Sequence, residues 1–461
     1  MLRVVRGPIL NPRADRTVEF ISDGVIAAGE DNRIDFVGPV SQFVEARGSA
    51  QLPPAVAGLI VPPMLDLHTH LPQHPIRGRF DENIELNPPE GRLLAALNRN
   101  VFPTEERFAA LEYARRVTDA FAADTLANGV VGGSLFLTVS AEAAFDTMAR
   151  LHPLWHGGMV LMDQNCPPGL RSGPYVQPDL RNLAESLGQR LVITDRFAVA
   201  TSSPLRQYGA SIAREFGLFT QTHLNEQISE KQLVEDELYP EAGSYTHVYL
   251  RDGLLDTRPI LAHCIHMTGP EWSILQSRRA IIAHCPTSNA LLGSGIMALD
   301  EVLARDIDYA LCTDVGASPT TSLLAEMAMF LFVHRGRSRH ATATEALWRV
   351  TRAPAAVLGS TAATGGFDVD GPMSYAVFDI DGSITSRSAD DVIRDHLLRG
   401  AATAAKEPAM DLADLAAGKP SDAMLTNLNR YAWALRELLD GRCQTVVVES
   451  ETLFTREIAP V

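Results

Sequence analysis

The residues best suited to chemistry fall in a few short stretches. Asp66-Leu67-His68-Thr69-His70 places two histidines one residue apart. In an extended strand alternate side chains share a face, so both imidazoles can reach a single cation. Thr222-His223-Leu224-Asn225-Glu226 sets a glutamate three residues after a histidine. A histidine at a strand end can ligate a metal while such a carboxylate reaches over it as a proton shuttle. Ala262-His263-Cys264, Ala283-His284-Cys285-Pro286-Thr287-Ser288-Asn289 and Cys312-Thr313-Asp314 complete the set. Singly, each has an ordinary reading: Glu226 as a carboxylate at a helix start, Asp314 as a helix cap. Together, His68, His70, His223 and Asp314 offer three neutral nitrogens and one carboxylate, a donor set suited to Zn2+, with Fe2+ as the other candidate.

Elements must bring these residues together, and the apolar pattern supplies them. Eight apolar segments recur, at 59–67, 130–137, 159–162, 191–194, 218–222, 259–262, 280–283 and 309–312. Most are continuous rather than alternating, as in strands buried on both faces of a parallel sheet. Stretches between them, such as 104–126 and 142–150, read as helices. The pattern predicts an α/β fold, a (β/α)8 TIM barrel whose C-terminal rim carries the polar residues above. No GxGxxG turn follows the first strand, which argues against a dinucleotide-binding sheet. Short strands near Phe20, Val25–Ala28 and Ile34–Val37, and again at Met373–Asp379, predict a small β-sandwich domain built from both chain ends. The expected division is 1–58 and 366–390 for that domain and 59–365 for the barrel. Residues 391–461 form a C-terminal segment of unassigned role, with helices at 391–402 and 423–439 and a strand at 445–449.

Bulk properties narrow the function classes. With 461 residues, 46% hydrophobic and 21% charged, the chain can bury a large core. A formal net charge of -16 argues against binding nucleic acid. The five cysteines are scattered and form no CxxC, so neither a zinc ribbon nor a disulfide framework is expected, in keeping with a reducing cytoplasmic setting. MLRVVRGPIL is too short and too broken by Arg and Pro for a signal peptide, and no apolar run is long enough to span a membrane.

The ordered set of HxH, HxxE, His263 and Asp314 resembles the amidohydrolase superfamily, in its aminohydrolase (deaminase) branch, from Leu59 to beyond Asp314. The resemblance implies that Asp314 both ligates the metal and accepts a proton from water. Glu226 would carry a proton to a ring nitrogen, and His263 would steady the developing charge as ammonia leaves. Superfamily members with two metals bridge them by a carboxylated lysine. This chain has only Lys231, Lys406 and Lys419, none in the fourth predicted strand, so one metal is implied and cyclic amide hydrolysis of the hydantoinase or dihydroorotase kind is disfavoured.

A narrower resemblance is to the guanine deaminase family. His68-Thr-His-Leu-Pro-Gln73 looks like its HxHxPQ, Phe102-Pro103-Thr104-Glu105 like its FPTE, and Arg196-Phe197 like its substrate-contacting pair. Cys285 to Asn289 and Thr313-Asp314-Val315-Gly316 fit too. The resemblance implies substrate contacts by Gln73, Arg196 and Phe197, conversion of guanine to xanthine and ammonia, and a homodimer. Two stretches depart from it: 93–97 lacks the usual aromatic residue, and 81–89 is altered. These departures keep open another heterocycle (8-oxoguanine, a pterin such as isoxanthopterin, or an s-triazine) and a triazine chlorohydrolase. A barrel kept as a non-catalytic scaffold is the remaining alternative, and it is disfavoured because every ligand is present. Among the other histidines, His74 is read as facing solvent, and His266 and His284 as donors behind the ligands.

Overall fold

The computed structural model describes residues 3–49, 52–85, 88–173, 176–386, 388–401 and 411–456. Its strands are β1 (Arg3–Pro12), β2 (Val18–Ala28), β3 (Ile34–Pro39), β4 (Leu59–Val61), β5 (Met64–His70), β6 (Val130–Phe136), β7 (Trp155–Gly158), β8 (Val160–Leu161), β9 (Val192–Asp195), β10 (Phe219–Leu224), β11 (Pro259–His263), β12 (Ile281–His284), β13 (Asp308–Leu311), β14 (Tyr375–Phe378), β15 (Cys443–Val448) and β16 (Glu451–Thr455).

The middle of the chain forms the expected barrel. β5–β6–β7 and β8–β9–β10–β11–β12–β13 are two runs of neighbouring parallel strands. A bridge between Gly157 and Leu191 joins them on one side. On the other, Asp314 N–H donates to His68 O at 2.9 Å, tying the chain after β13 to β5. The strands are buried on both faces, as their continuous apolar runs predict. The third strand lies earlier than expected and is broken at Met159 into β7 and β8. Amphipathic helices cover the outside. Leu111–Ala127 buries Ala114, Val117 and Phe121, and Ala141–Arg150 starts where the Ser140 side chain accepts from Ala143 N–H. Burying one side chain the size of Phe121 contributes on the order of 2 kcal/mol.

The two chain ends meet in one seven-stranded sheet, in the order β16-β15-β14-β4-β1-β2-β3. Two expectations are corrected here. The apolar run at 59–67 is not one barrel strand. Pro62-Pro63 splits it, so β4 pairs with β1 and β14 in the end sheet and only β5 enters the barrel. The sheet also does not stop at 390: β15 and β16 extend it, although helix Asp422–Leu439 separates them in sequence from β14. That helix packs on the barrel helix Leu323–Val333, with the Tyr431 and Phe332 rings 4.9 Å apart. Residue 402, the last of an expected helix, lies outside the described residues, as do 86 and 87 of the altered 81–89 stretch. Among the described residues no helix is long and apolar enough to cross a membrane.

Candidate active site

The C-terminal ends of β5, β10 and β13 bring His68, His70, His223 and Asp314 together. All four are buried, and one ligand atom from each lies within 4.8 Å of the others. His70 Nε2 and His223 Nε2 are 3.1 Å apart, and Asp314 Oδ1 is 3.3 Å from His68 Nε2 and 3.4 Å from His70 Nε2. Among the described residues this is the one such cluster.

The ring nitrogens are set up to ligate. His223 Nδ1–H donates to Arg196 O at 2.7 Å, which leaves the Nε2 lone pair for the cluster. His68 Nε2 is buried without a hydrogen-bond partner, an arrangement that needs a reason in a folded protein. Burial pushes the His68, His70 and His223 imidazoles below their usual pKa, so they are neutral, as ligands must be. Burial alone would raise Asp314, but the close approach of His68 and the electrostatic field of the His68, His70 and His263 rings hold it below the usual carboxylate range. Its other oxygen, Oδ2, accepts from the Ser288 hydroxyl at 2.5 Å. These orphaned and oriented donors fit one divalent cation.

The backbone at the rim is unusual as well. Asn225, His263, Cys264 and Asp314 have φ of 51°, 72°, 49° and 52°. Left-handed conformations are costly for side-chain-bearing residues and persist where surrounding bonds hold them. Cys264 N–H to Leu224 O and Asp314 N–H to His68 O are two such bonds.

Glu226 and His263 stand beside the cluster, with Glu226 Oε2 3.5 Å from His263 Nε2. His263 Nδ1–H donates to Asn289 Oδ1 at 2.8 Å, and its Nε2 has no partner. A neutral His263 can therefore accept a proton-bearing partner at Nε2. Glu226 Oε1 accepts from the Ser294 hydroxyl at 3.2 Å. Burial, with the charge of Asp314 adding, pushes the Glu226 carboxyl up to about 8.

A small cavity opens over these groups. His70, His223, Glu226, His263 and Asp314 supply its polar lining. Phe80, Leu93, Leu97, Phe197 and Leu292 supply its apolar lining, and Arg196 lines it as well. Arg196 Nη1 is 3.4 Å from His223 Nε2, and its Nε has no partner. Gln73 is buried but is not among the lining residues; its Nε2–H donates to Glu105 Oε1 at 2.7 Å, and Oε1 has no partner. Gly316 (φ 120°) packs on that amide, where a Cβ would come within 2.0 Å of Gln73 Oε1. The same Glu105 oxygen lies 3.7 Å from Arg196 Nη2, so one buried carboxylate orients both side chains.

Glu105, Ser288, Asn289 and Ser294 are contributions that sequence reasoning did not assign, although FPTE and the Cys285–Asn289 stretch mark the first three. His74 does not face solvent: it is buried, with Nε2 2.9 Å from Asp124 Oδ2. His266 Nε2 pairs with Ser294 O and His284 Nε2 with His334 Nε2, and neither belongs to the ligand cluster.

Residues 55–395 match the amidohydrolase family. The chain is an amidohydrolase. It is 30% identical to guanine deaminase of Escherichia coli (strain K12) over 392 residues, covering 79% of this chain and 85% of that one. Its fold is that of guanine deaminase from C. acetobutylicum, solved with guanine bound in the active site (TM-score 0.75, 22% identity, 98% of this chain and 100% of the other). An adenosine deaminase from Xanthomonas campestris, solved with bound zinc, shares the fold at a TM-score of 0.70 and 16% identity, over 98% and 92%. The amidohydrolase is thus a hydrolytic deaminase with a His-rich centre for a divalent metal.

Proposed function

We propose that this amidohydrolase deaminates guanine to xanthine and ammonia at a single Zn2+ held by His68, His70, His223 and Asp314. The observation that carries this reading is the convergence of those four side chains beside Glu226 and His263, under a cavity that also presents Arg196 and Phe197. Its likeness to guanine deaminases supports the substrate, and the three-nitrogen, one-carboxylate donor set supports zinc. The fourth barrel strand carries no lysine. Lys231 is held by Glu235 and Glu271 outside the cluster, which supports one metal rather than two. A cytoplasmic homodimer is part of the same reading.

A divalent ion bound there supplies Lewis acidity that brings a water's pKa toward neutrality. The chain's own residues do the rest. Asp314, ionised and fixed at Oδ2 by Ser288, takes a proton. Glu226, with its raised pKa, is protonated at neutral pH and delivers that proton to a ring nitrogen; the proton taken by Asp314 then passes to the departing amine, and Glu226 is reprotonated from the new hydroxyl as the carbonyl forms. His263 Nε2 accepts a hydrogen bond and so orients the attacking water. This is narrower than steadying developing charge, because Nδ1 holds the proton. Arg196 and Gln73, oriented by Glu105, address the polar edge of the heterocycle, and Phe197 covers its face.

A second reading, another aminated heterocycle, draws on Leu93 and Leu97, which line the cavity where an aromatic side chain was expected. Ammonia release from guanine, 8-oxoguanine, isoxanthopterin, adenine, cytosine and ammeline separates the two. Guanine is expected to be the best substrate. Activity on isoxanthopterin without activity on guanine would replace the substrate, and no release from any compound by metal-loaded protein would remove the enzyme reading.

A further inference from the structure

Beneath the rim, outside the cavity, two tyrosines are fully buried with their hydroxyls close together. Tyr245 and Tyr249 lie one turn apart on helix Tyr245–Arg251, so their side chains share a face. A buried hydroxyl costs free energy unless its bonds are made, and here they are made to the catalytic segments. Tyr245 Oη–H donates to Glu230 Oε1 at 2.8 Å. Glu230, also fully buried, accepts the backbone N–H groups of Glu226 and Gln227 at Oε2, at 3.1 and 3.2 Å. Tyr249 Oη–H donates to His223 O at 2.8 Å and accepts from Ala198 N–H at 3.0 Å. The Tyr245 hydroxyl reaches the same Ala198 amide at 3.3 Å.

The location explains why side chains are needed. β9 and β10 stop pairing at Thr194 and Gln221, yet the residues that face substrate, Arg196–Phe197 and His223–Glu226, come after that point. Past the ladder the two strand ends are held to each other by side chains. Each hydroxyl has one proton to give: Tyr245 gives its proton to Glu230 and Tyr249 to His223. The adjacent Thr222 hydroxyl donates to Asp195 Oδ2 at 2.8 Å, so it does not compete as a donor.

We propose that Glu230, Tyr245 and Tyr249 are positioning residues that keep the proton shuttle Glu226 in register with the substrate-binding turn Arg196–Phe197. The proposal rests on the deaminase reading of those two segments. It assigns the hydroxyls separable effects. Tyr245 acts through Glu230 on the placement of Glu226 and so on turnover. Tyr249 acts through Ala198 on the Arg196–Phe197 turn and so on substrate binding.

Steady-state guanine deamination by metal-loaded Tyr245→Phe and Tyr249→Phe enzymes tests it, with metal content measured alongside. Tyr245→Phe is expected to lower kcat about 10-fold with KM within about 2-fold. Tyr249→Phe is expected to raise KM about 10-fold with a smaller change in kcat, both at wild-type metal content. Glu230→Gln keeps an acceptor for the two backbone amides and is expected to retain more turnover than Glu230→Ala. Hydrogen exchange gives a readout that needs no turnover: exchange should rise in peptides over residues 224–228 in Tyr245→Phe and over 195–199 in Tyr249→Phe. Kinetic constants of both variants within about 2-fold of wild type, or unchanged exchange in both peptides, would overturn the proposal. A wild-type enzyme inactive on guanine, together with the expected exchange pattern, would remove the substrate reading and leave the positioning unit standing.

Discussion

In the sheet built from the chain ends, Asn11 is fully buried and both ends of its amide are used: Nδ2–H donates to Phe367 O and Oδ1 accepts from Phe367 N–H, at 2.9 and 2.8 Å. At the barrel rim, equally buried polar atoms have no partner, among them His68 Nε2, His263 Nε2, Gln73 Oε1 and Arg196 Nε. At Asn11 the sheet satisfies its polar groups internally, and those bonds tie two distant pieces of chain together. The rim leaves its own unsatisfied, at a cost of about 1–3 kcal/mol each, because a cation and a substrate are to complete them. The difference teaches that burial alone does not mark the place of chemistry: unpaired buried polar atoms also occur away from the rim, as at Asn32 Oδ1, and it is their convergence around the four candidate ligands that marks it.

Breaking the rim should abolish function while sparing the fold. Asp314→Asn is expected to lose bound metal and to lower kcat/KM by at least about 1000-fold, with the far-ultraviolet circular dichroism unchanged; metal analysis and ammonia release check this. Glu226→Gln separates binding from chemistry. Metal content should stay at the wild-type level while kcat falls about 100- to 10,000-fold, and a kcat near wild type would exclude Glu226 as the shuttle.

The sheet should respond the other way. Asn11→Ala leaves a buried amide and a buried carbonyl of Phe367 unpaired, so denaturant unfolding should show a loss of about 1–3 kcal/mol with kcat and KM of the folded enzyme unchanged. The smallest effect sharpens the contrast at the rim itself. In the metal-free protein the Glu226 carboxyl is raised to about 8 from an unfolded value near 4.5. The folded state therefore favours the protonated form, and the stability this contributes is complete below about 4.5 and is lost as pH rises through about 8. Glu226→Gln does not titrate, so its Tm relative to wild-type apoprotein should climb by a few degrees across that window. A difference that is flat with pH would contradict the shift.

Much of the rim was legible because its residues sit at the ends of recognisable strands. The HxH of β5, the HxxE after β10 and the Asp after β13 announce themselves by type, spacing and order. Glu230 and Ser294 carry no such mark, and Glu105 is flagged only by the FPTE motif, with no hint of what it touches. A glutamate in a helical stretch looks solvated until the fold buries it, and Glu105 reaches Gln73 and Arg196 only through tertiary packing. Phe80 and Leu292 line the cavity from loops whose course apolar periodicity does not report. In the fold, the eight-strand pattern was readable. The hand-over of β4 to the end sheet was hidden inside one apolar run, and only Pro62-Pro63 signalled the break. β15 and β16 join β14 across an intervening helix, a pairing between distant segments that local sequence does not encode.

The chemistry of the rim turns on one cation shared by four side chains from three strand ends. Titrating metal-free protein with Zn2+ while following ammonia release from guanine tests this directly. Activity should rise linearly and level off at one equivalent per chain, and His223→Ala should not be activated. Saturation only at two equivalents, or full turnover by the metal-free chain, would contradict it.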